Sequence, residues 1–495
     1  MQGARLFLFF TWRQWLVAMS IAAAGTAVCL PWYGFISPWI GCTIFLTAII
    51  LVHLHYAGQY IAPLPHIALL VAALQYIFAA WFSLYHPHDN PIYFIGDRLP
   101  LYYAYTGPVI LAMTIGFAAS LWRVGLPRIQ PQSVSSDPSL LLELDVICLL
   151  GIASVILGNL SKIGGLAFLF VLLGNLRFVG VYGRMVLGGS GWQWRLALVL
   201  CLEVLFATAS AMFHNLLLWL LWTFALWVYR FRPRMWATLG SIAIAVLLLP
   251  ALQAAKWQLR TEALDPIEGL PTEIADTSVF DRTIRWVSYL VPSLQQTVMF
   301  ELEDEFVSEM GMRYNQGWII NRVMLFTPDY EPYAQGKTLV SAIEASLLPR
   351  LIVEEKAKSG GRENMEKFTG LALDENTSMN LGFAGEMYAN FGETGGIIGC
   401  GIYALFFGLL FRIICKRAFT NPLWWCLVPF IFYSAVKAED DIAFVLNWTV
   451  KGSIVVAFII LALPNFRRAL FRPLEAPTNS VLLNRESADE AFASR

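Results

Sequence analysis

Stretches of about 20 apolar residues recur along most of the chain, and they constrain its fold more than any other feature. A hydrocarbon core about 30 Å thick is crossed by about 20 residues of α-helix. A helix satisfies its own backbone hydrogen bonds, which a bilayer cannot do. Hydrophobic residues make up 57% of the 495 residues and charged residues 14%, whereas soluble domains are about 45–50% apolar and about 25% charged. The sequence therefore predicts an all-α polytopic membrane protein.

Hydropathy predicts about twelve transmembrane helices. They lie near residues 14–31, 36–56, 66–85, 101–122, 143–159, 163–182, 194–212, 214–230, 235–253, 394–415, 422–437 and 449–466. If the N-terminus is cytoplasmic, most Lys and Arg of the short loops fall on the inner side, and the outer loops hold little beyond Arg98, Lys162 and Lys437. Positive residues favour the cytoplasmic side, so we expect both termini there. The pair 143–159 and 163–182 could instead be a re-entrant hairpin, with the same topology downstream.

Charge and hydropathy divide the chain into four regions. These are a membrane domain of about nine helices at 1–252, an extracytoplasmic helical cap at 253–393, three transmembrane helices at 394–466, and a disordered cytoplasmic tail at 467–495. The predicted cap contains 12 Lys and Arg and 22 Asp and Glu, about half of the charged residues of the chain. Apolar residues at helical spacing in 283–300 and 338–353 predict that the cap is folded and largely helical.

Several classes of function are disfavoured. The seven cysteines lie in or beside apolar runs without a CxxC pair or a Cys/His cluster, so neither a disulfide framework nor a metal site is predicted. A net charge of −1 and the lack of a Lys/Arg-rich run argue against nucleic-acid binding. P-loop, GxGxxG, HExxH and GxSxG motifs are missing, and no cofactor is predicted.

The most informative stretch is 336–408. A G-x-T segment ending in P-R precedes GE-x-Y-x-NFG-x-x-G at the start of a Gly-rich apolar run. The residues that carry this pattern are Gly336, Thr338, Pro349, Arg350, Gly385, Glu386, Tyr388, Asn390, Phe391, Gly392 and Gly395. In this stretch the chain resembles the oligosaccharide repeat-unit polymerases, also called Wzy-type O-antigen polymerases. Elsewhere the likeness is limited to the number of spans and a large outer loop.

The resemblance implies a GT-C-like membrane glycosyltransferase in the bacterial inner membrane. Such an enzyme joins undecaprenyl-diphosphate-linked repeat units into an O-antigen, capsular or exopolysaccharide chain. The transfer is inverting, needs no metal and takes place at the outer face. A repeat-unit flippase and a chain-length regulator are the implied partners, together with membrane lipids and the lipid-linked substrate.

Arg350 and Glu386 are the candidate catalytic residues. Arg350 follows a proline that ends or kinks a helix, and arginine can bind phosphate through two hydrogen bonds. Its alternative role is a surface ion pair with Glu354, one helical turn further on. Glu386 lies where the predicted cap re-enters the membrane, and it could accept a proton from the attacking hydroxyl. It could equally hydrogen-bond the turn or pair with an arginine.

Seven further residues are candidates for binding substrate or diphosphate. They are Arg282, Arg285, Arg313, Arg322, Tyr388, Asn390 and His214. Arg282 and Arg285 share a helical face beside Trp286, where they could also extend to lipid phosphates. Arg313 and Arg322 flank an aromatic loop on which a sugar could stack, although interface anchoring explains the same residues.

Other features have a structural and a functional interpretation. Glu203 is a carboxylate within an apolar run and therefore a functional candidate, but it could also hydrogen-bond a neighbouring helix. The acidic residues within 438–441 could be solvated or could accept a proton near the site. The glycines between 392 and 401 indicate close helix packing.

Two other functions share these features. A ligase would use the same donor but attach the glycan to a different carrier. A flippase or transporter of lipid-linked sugars would also have twelve spans with inner termini. One large charged insertion departs from the two-half symmetry of most carriers, which favours the polymerase.

Overall fold

The computed structural model describes residues 12–33, 37–122, 124, 137–161, 167–210, 213–263, 279–299, 301, 304–347, 361–373 and 379–472. Every regular element within these ranges is helical, and none of the described residues forms a strand. The α-helices are α1 Trp12–Tyr33, α2 Pro38–Gly58, α3 Leu64–Ala73, α4 Ala79–Tyr85, α5 Leu99–Ser120, α6 Pro138–Ser161, α7 Ala167–Gly174, α8 Leu176–Leu187, α9 Trp192–Ser210, α10 His214–Phe231, α11 Met235–Ala263, α12 Val279–Met299, α13 Asp304–Tyr314, α14 Gly317–Phe326, α15 Lys337–Leu347, α16 Arg362–Thr369, α17 Gly382–Ala418, α18 Val428–Ile431, α19 Ile442–Ala462 and α20 Pro464–Phe471. A π-helical turn at Leu74–Phe78 joins α3 to α4.

Nine helical segments of the described ranges are long and apolar enough to cross a bilayer, as in a multi-pass membrane protein. They are Pro38–Gly58, Leu64–Tyr85, Leu99–Ser120, Pro138–Gly158, Phe168–Leu187, Trp192–Ala209, Met235–Leu259, Gly382–Ala418 and Ile442–Ala462. Each overlaps one predicted span, so the all-helical membrane architecture is confirmed. Spans at 14–31 and 214–230, where α1 and α10 lie, stay predictions.

The predicted span at 422–437 is not a continuous helix. A 3₁₀-helix at Pro422–Leu427 leads into the single turn of α18, and turns and bends follow as far as the start of α19. Nearly every residue from 421 to 436 is buried. Irregular backbone is tolerated at membrane depth where protein covers it. Hydropathy shows that these residues are apolar, but it cannot show whether protein or lipid surrounds them. A buried irregular segment was therefore predicted as a transmembrane helix.

The boundaries of the predicted cap also differ from the helices. α11 continues past residue 253 as far as Ala263. α17 begins at Gly382, before the predicted boundary at 393, and is divided by a kink at Gly392, whose φ is 68° and ψ −164°. The predicted boundary at 393 thus falls at the kink, and the helical segment before it was assigned to the cap.

α5 and α17 pack closely against each other, and glycines permit this contact. A Cβ atom at Gly116 of α5 would lie 2.3 Å from the carbonyl oxygen of Gly401, and one at Gly396 of α17 would lie 2.8 Å from the Tyr105 hydroxyl. This agrees with the predicted packing role of the Gly-rich run. The opposite face of α17 is exposed and apolar, as expected of a surface that meets lipid. It is formed by Ile398, Ile402, Phe406, Leu409 and Ile413.

The first residues of the predicted tail are folded. α20 extends to Phe471, and its start is capped by the carboxylate of Glu143, which accepts the N–H groups of Asn465 (3.1 Å) and Phe466 (2.6 Å). The predicted disordered tail therefore begins five residues too early, at 467. The sequence of this region is basic and contains proline, and it does not reveal that Glu143 caps the helix. Residues 473–495 lie outside the described residues.

Candidate functional site

Two segments that are about fifty residues apart in sequence meet at the start of α17. The N–H of Ala334 donates to the carbonyl of Ala389 (2.9 Å), and the N–H of Gln335 donates to that of Asn390 (3.0 Å). The approach ends in a sharp turn, with φ of 52° at Gln335 and 86° at Gly336. Left-handed backbone of this kind favours glycine at the second position. The loop before α15 is thereby fixed against α17.

The Asn390 amide joins the two parts of the sequence motif. Its Oδ1 accepts the N–H of Gly336 (3.0 Å), and its Nδ2 donates to the hydroxyl of Thr338 (2.7 Å) and to the carbonyl of Glu386 (2.8 Å). The side chain is 1% exposed. An amide is suited to this position because it supplies both donor and acceptor. Asn390 therefore positions α15 on α17, and its predicted role in binding substrate stays a prediction.

Glu386 is buried at the centre of this group. Its carboxylate accepts the N–H of Ile442 (2.8 Å), the first residue of α19, and the Thr338 hydroxyl lies beside it. An acidic group at a helix N-terminus is favoured by the exposed N–H groups and the helix dipole. The side chain is 1% exposed. These contacts agree with the structural interpretation of Glu386 and leave a carboxylate next to a hydroxyl.

Three tyrosines pack together beside this group, of which Tyr105 and Tyr388 are buried and Tyr333 is partly exposed. The Tyr388 ring packs edge-on against Tyr105 of α5, with centroids 5.1 Å apart, and against Tyr333, with centroids 6.3 Å apart. The Tyr333 hydroxyl lies over Gly392, where a Cβ atom would be 2.9 Å away. Aromatic faces of this kind can stack on a sugar. Tyr333 belongs to no sequence motif, so the sequence did not identify it as a site residue. Its neighbours in the chain, Ala334 and Gln335, are the residues that contact α17.

The acidic loop before α19 packs against the same site. The Tyr76 hydroxyl donates to the carbonyl of Ala438 (2.6 Å), and Asp440 accepts from the Ser434 hydroxyl. Burial raises the pKa of Asp440 to about 6, with Lys437 opposing the shift. Asp441 caps α19 by accepting the N–H of Phe444 (2.8 Å). Of the two earlier interpretations, a solvated acidic run is wrong for these two aspartates, because both are buried.

Arg350 and Glu354 both lie outside the described residues. The two alternative roles of Arg350, binding phosphate or pairing with Glu354, therefore stay predictions.

Arg282 donates to the carbonyl of Ala209 (3.0 Å) at the end of α9, while Arg285 is exposed one turn along α12. α12 packs along α9 and α11, with Trp286 buried beside Phe213.

The other two candidate arginines are held by local partners. Arg313 pairs with Glu309 one helical turn away (3.3 Å), and Arg322 donates to the carbonyl of Thr369 at the end of α16 (3.0 Å). Arg313 is therefore paired within α13, and Arg322 of α14 is bound to the end of α16. Their assignment to the substrate site stays a prediction.

His214 and Glu203 lie in the neighbouring part of the helical bundle. His214 begins α10 and interacts electrostatically with Lys437 of the acidic loop. Glu203 pairs with Arg177 of α8, and both side chains are buried. A buried carboxylate paired in this way has a structural role of its own. The interpretation that Glu203 bonds to a neighbouring helix is confirmed.

Arg98 is a basic residue near the site that the motif did not identify. It immediately precedes α5 and interacts electrostatically with Tyr388. In the sequence, the one indication of a role for Arg98 is that it is among the few basic residues of the predicted outer loops.

The site as described combines a buried carboxylate, hydroxyl groups and aromatic faces, which suits proton acceptance and sugar binding. Among the described residues, no group of three or more His, Cys, Asp or Glu side chains could hold a metal ion. Comparison of the chain with protein-family models, curated proteins and solved structures found no match.

Proposed function

We propose that the protein is a polymerase that joins undecaprenyl-diphosphate-linked oligosaccharide units at the outer face of the bacterial inner membrane. The supporting observation is the contact between the two parts of the motif. Gly336 and Thr338 bind to Asn390, and Thr338 also lies against Glu386, although about fifty residues separate the two parts in sequence. The two parts of the motif thus surround one buried carboxylate, which supports a shared role.

In the proposed reaction, a hydroxyl of the acceptor unit attacks the anomeric carbon of the donor, and the lipid diphosphate leaves. Glu386 accepts the proton of the attacking hydroxyl, which takes the place of Thr338 beside the carboxylate. Tyr333 and Tyr388 provide aromatic faces for the sugars. Arginines stabilise the charge that develops on the diphosphate, with Arg350 the candidate from the motif. In this proposal the donor is already activated, so no nucleotide is consumed.

The test uses purified protein in nanodiscs with lipid-linked repeat units extracted from its host, without nucleotide or added metal. The wild type is expected to produce a ladder of polymer lengths. Glu386→Gln keeps an oxygen for the N–H of Ile442, so the variant should fold. It is expected to lose polymer formation by about 100-fold or more, as for removal of a general base. Glu366→Gln is the matched control, because Glu366 lies on α16 and pairs locally with Arg362.

Other outcomes assign other roles. If Glu386→Gln polymerises at the wild-type rate, Glu386 is a structural acceptor and not the base. If Arg350→Ala and Glu386→Gln both leave polymer length and amount unchanged, the proposed polymerase site is wrong. A single block transferred to a new carrier identifies a ligase. Movement of labelled repeat units across the bilayer without extension identifies a flippase.

A further inference from the structure

Arg98 is held at the start of α5 by a tight turn. It is the last residue of the 3₁₀-helix Gly96–Arg98 and the N-cap of α5. Tyr105 lies seven residues further on, which is close to two helical turns and about 10 Å along the axis. Arg98 therefore lies on nearly the same side of α5 as Tyr105, about two turns closer to the N-terminal end of the helix. The Tyr105 ring is in turn packed against Tyr388.

The guanidinium of Arg98 has an unused donor. Its Nη1 atom is buried and makes no hydrogen bond to any described side chain or backbone group. A buried donor of a charged group without an acceptor is unfavourable, and an oxyanion is the group that best relieves the deficit. Arg98 as a whole is partly exposed, so a ligand can approach the residue.

Tyrosine hydroxyls complete the surroundings of this cation. Tyr388 interacts with Arg98 electrostatically and lies beside Tyr333. The Tyr333 ring borders the kink at Gly392, where a side chain would collide with the Tyr333 hydroxyl. A cation at the start of α5 therefore lies near Tyr388, which packs against Tyr333. Glu393 is exposed and also acts on Tyr388, so its charge opposes an anion there.

We propose that Arg98, Tyr333 and Tyr388 form a subsite for a sugar-linked diphosphate, with Arg98 binding the phosphate oxygens. The identity of the ligand as the lipid-linked donor rests on the proposed function. The same chemistry would bind free pyrophosphate. The subsite places the diphosphate beside the tyrosines. Arg98 would then stabilise the departing lipid diphosphate.

The experiment measures binding of a radiolabelled polyprenyl diphosphate to the full chain in nanodiscs. Uncharged polyprenol and inorganic pyrophosphate are the competitors. Arg98→Gln is expected to raise the Kd at least tenfold, and Arg98→Lys to raise it less, because lysine keeps the charge but not the forked donors. Glu393→Gln is expected to lower the Kd. Arg467→Gln is the matched control, since Arg467 is exposed on α20.

The two ligand sources are separated by the competitors. Displacement by pyrophosphate, with none by polyprenol, shows that the diphosphate itself is recognised. If pyrophosphate displaces nothing but binding still depends on Arg98, the subsite requires the lipid-linked form. Unchanged binding by Arg98→Gln, or an equal loss for polyprenol, overturns the proposal. If Arg98→Gln does not fold, Glu393→Gln decides, with tighter binding in support and unchanged binding against.

Failure of this inference is distinguishable from failure of the proposed function. Binding that depends on Arg98 in a protein that makes no polymer keeps the subsite and rejects the polymerase. A polymer ladder made by Arg98→Gln with the wild-type dependence on donor concentration keeps the polymerase and rejects the subsite.

Discussion

The Asn390 amide shows how one side chain can fix a whole element at this site. Its three hydrogen bonds connect α17, the turn at Gly336 and the first turn of α15. α15 in turn packs along α19, whose first N–H binds Glu386. A change at Asn390 therefore affects the surroundings of the candidate base without touching the base.

The coupling between Asn390 and Thr338 is measurable by a double-mutant cycle. Thr338→Val removes the hydrogen bond from Asn390 and the contact with Glu386, whereas Asn390→Ala removes three hydrogen bonds and leaves the buried N–H of Gly336 without its acceptor. We expect destabilisation of about 1 kcal/mol for the first and about 2–4 kcal/mol for the second. The double variant should recover about 0.5–1.5 kcal/mol relative to additivity. Thermal or denaturant unfolding in detergent supplies the values, and strict additivity would contradict a direct bond.

Asp440 predicts a pH dependence of stability. Burial raises its pKa from 3.8 to about 6 in the folded protein. Between these values the folded state holds a proton that the unfolded chain has released, so the free energy of unfolding falls as pH rises from about 4 to about 6. The loss from this group is on the order of 2 kcal/mol.

Melting curves at pH 4.5 and pH 7 check this expectation. Asp440→Asn should reduce the difference between the two melting temperatures, because asparagine does not titrate and can still accept from Ser434. Asp137→Asn is the control, since Asp137 is exposed and its pKa is lowered by contacts with Ser139. An unchanged difference in the Asp440 variant would show that other groups cause the pH dependence.

Helix packing follows from the glycines of α5 and α17. A Cβ atom at Gly116 would lie 2.3 Å from a backbone oxygen of α17, which cannot rotate away. At Gly240 of α11, by contrast, no atom lies within 4 Å of the added carbon. The two positions thus differ in their neighbours while both lie within apolar helices.

Gly116→Ala is expected to destabilise the protein by about 1–3 kcal/mol through overpacking. Gly240→Ala should be neutral or slightly stabilising, because alanine is the better helix former. The comparison of their melting temperatures in detergent removes the general effect of the added methyl group. Equal effects of the two changes would mean that α5 and α17 do not pack as described.

The spans could be predicted from sequence because apolar length and helix length follow the same bilayer thickness. The segment after Asn421 could not, since buried irregular backbone has the same composition as a buried helix. The motif predicted that Thr338, Glu386 and Asn390 matter together, and the structure brings them together. Arg98 could not be placed from the sequence, because only the packing of α5 on α17 brings it close to Tyr388.

At the scale of the whole molecule, α19 connects the candidate site to the opposite end of the fold. Its 21 residues extend about 30 Å, which is the thickness of the hydrocarbon core. Ile442 at one end binds Glu386, and α20 follows the other end. If α19 crosses the bilayer, the site and α20 therefore face opposite compartments.

Cysteine labelling of intact cells tests this topology. Tyr330→Cys introduces a thiol in the exposed loop before Tyr333, and Arg467→Cys introduces one on the exposed face of α20. Because basic residues favour the cytoplasmic side, a membrane-impermeant maleimide should label Cys at 330 in intact cells and Cys at 467 after permeabilisation alone. The wild-type chain corrects for the native cysteines. Labelling of both positions from outside would reject α19 as a single crossing, while the reverse pattern would place the candidate site in the cytoplasm, where an outer-face polymerase could not use it.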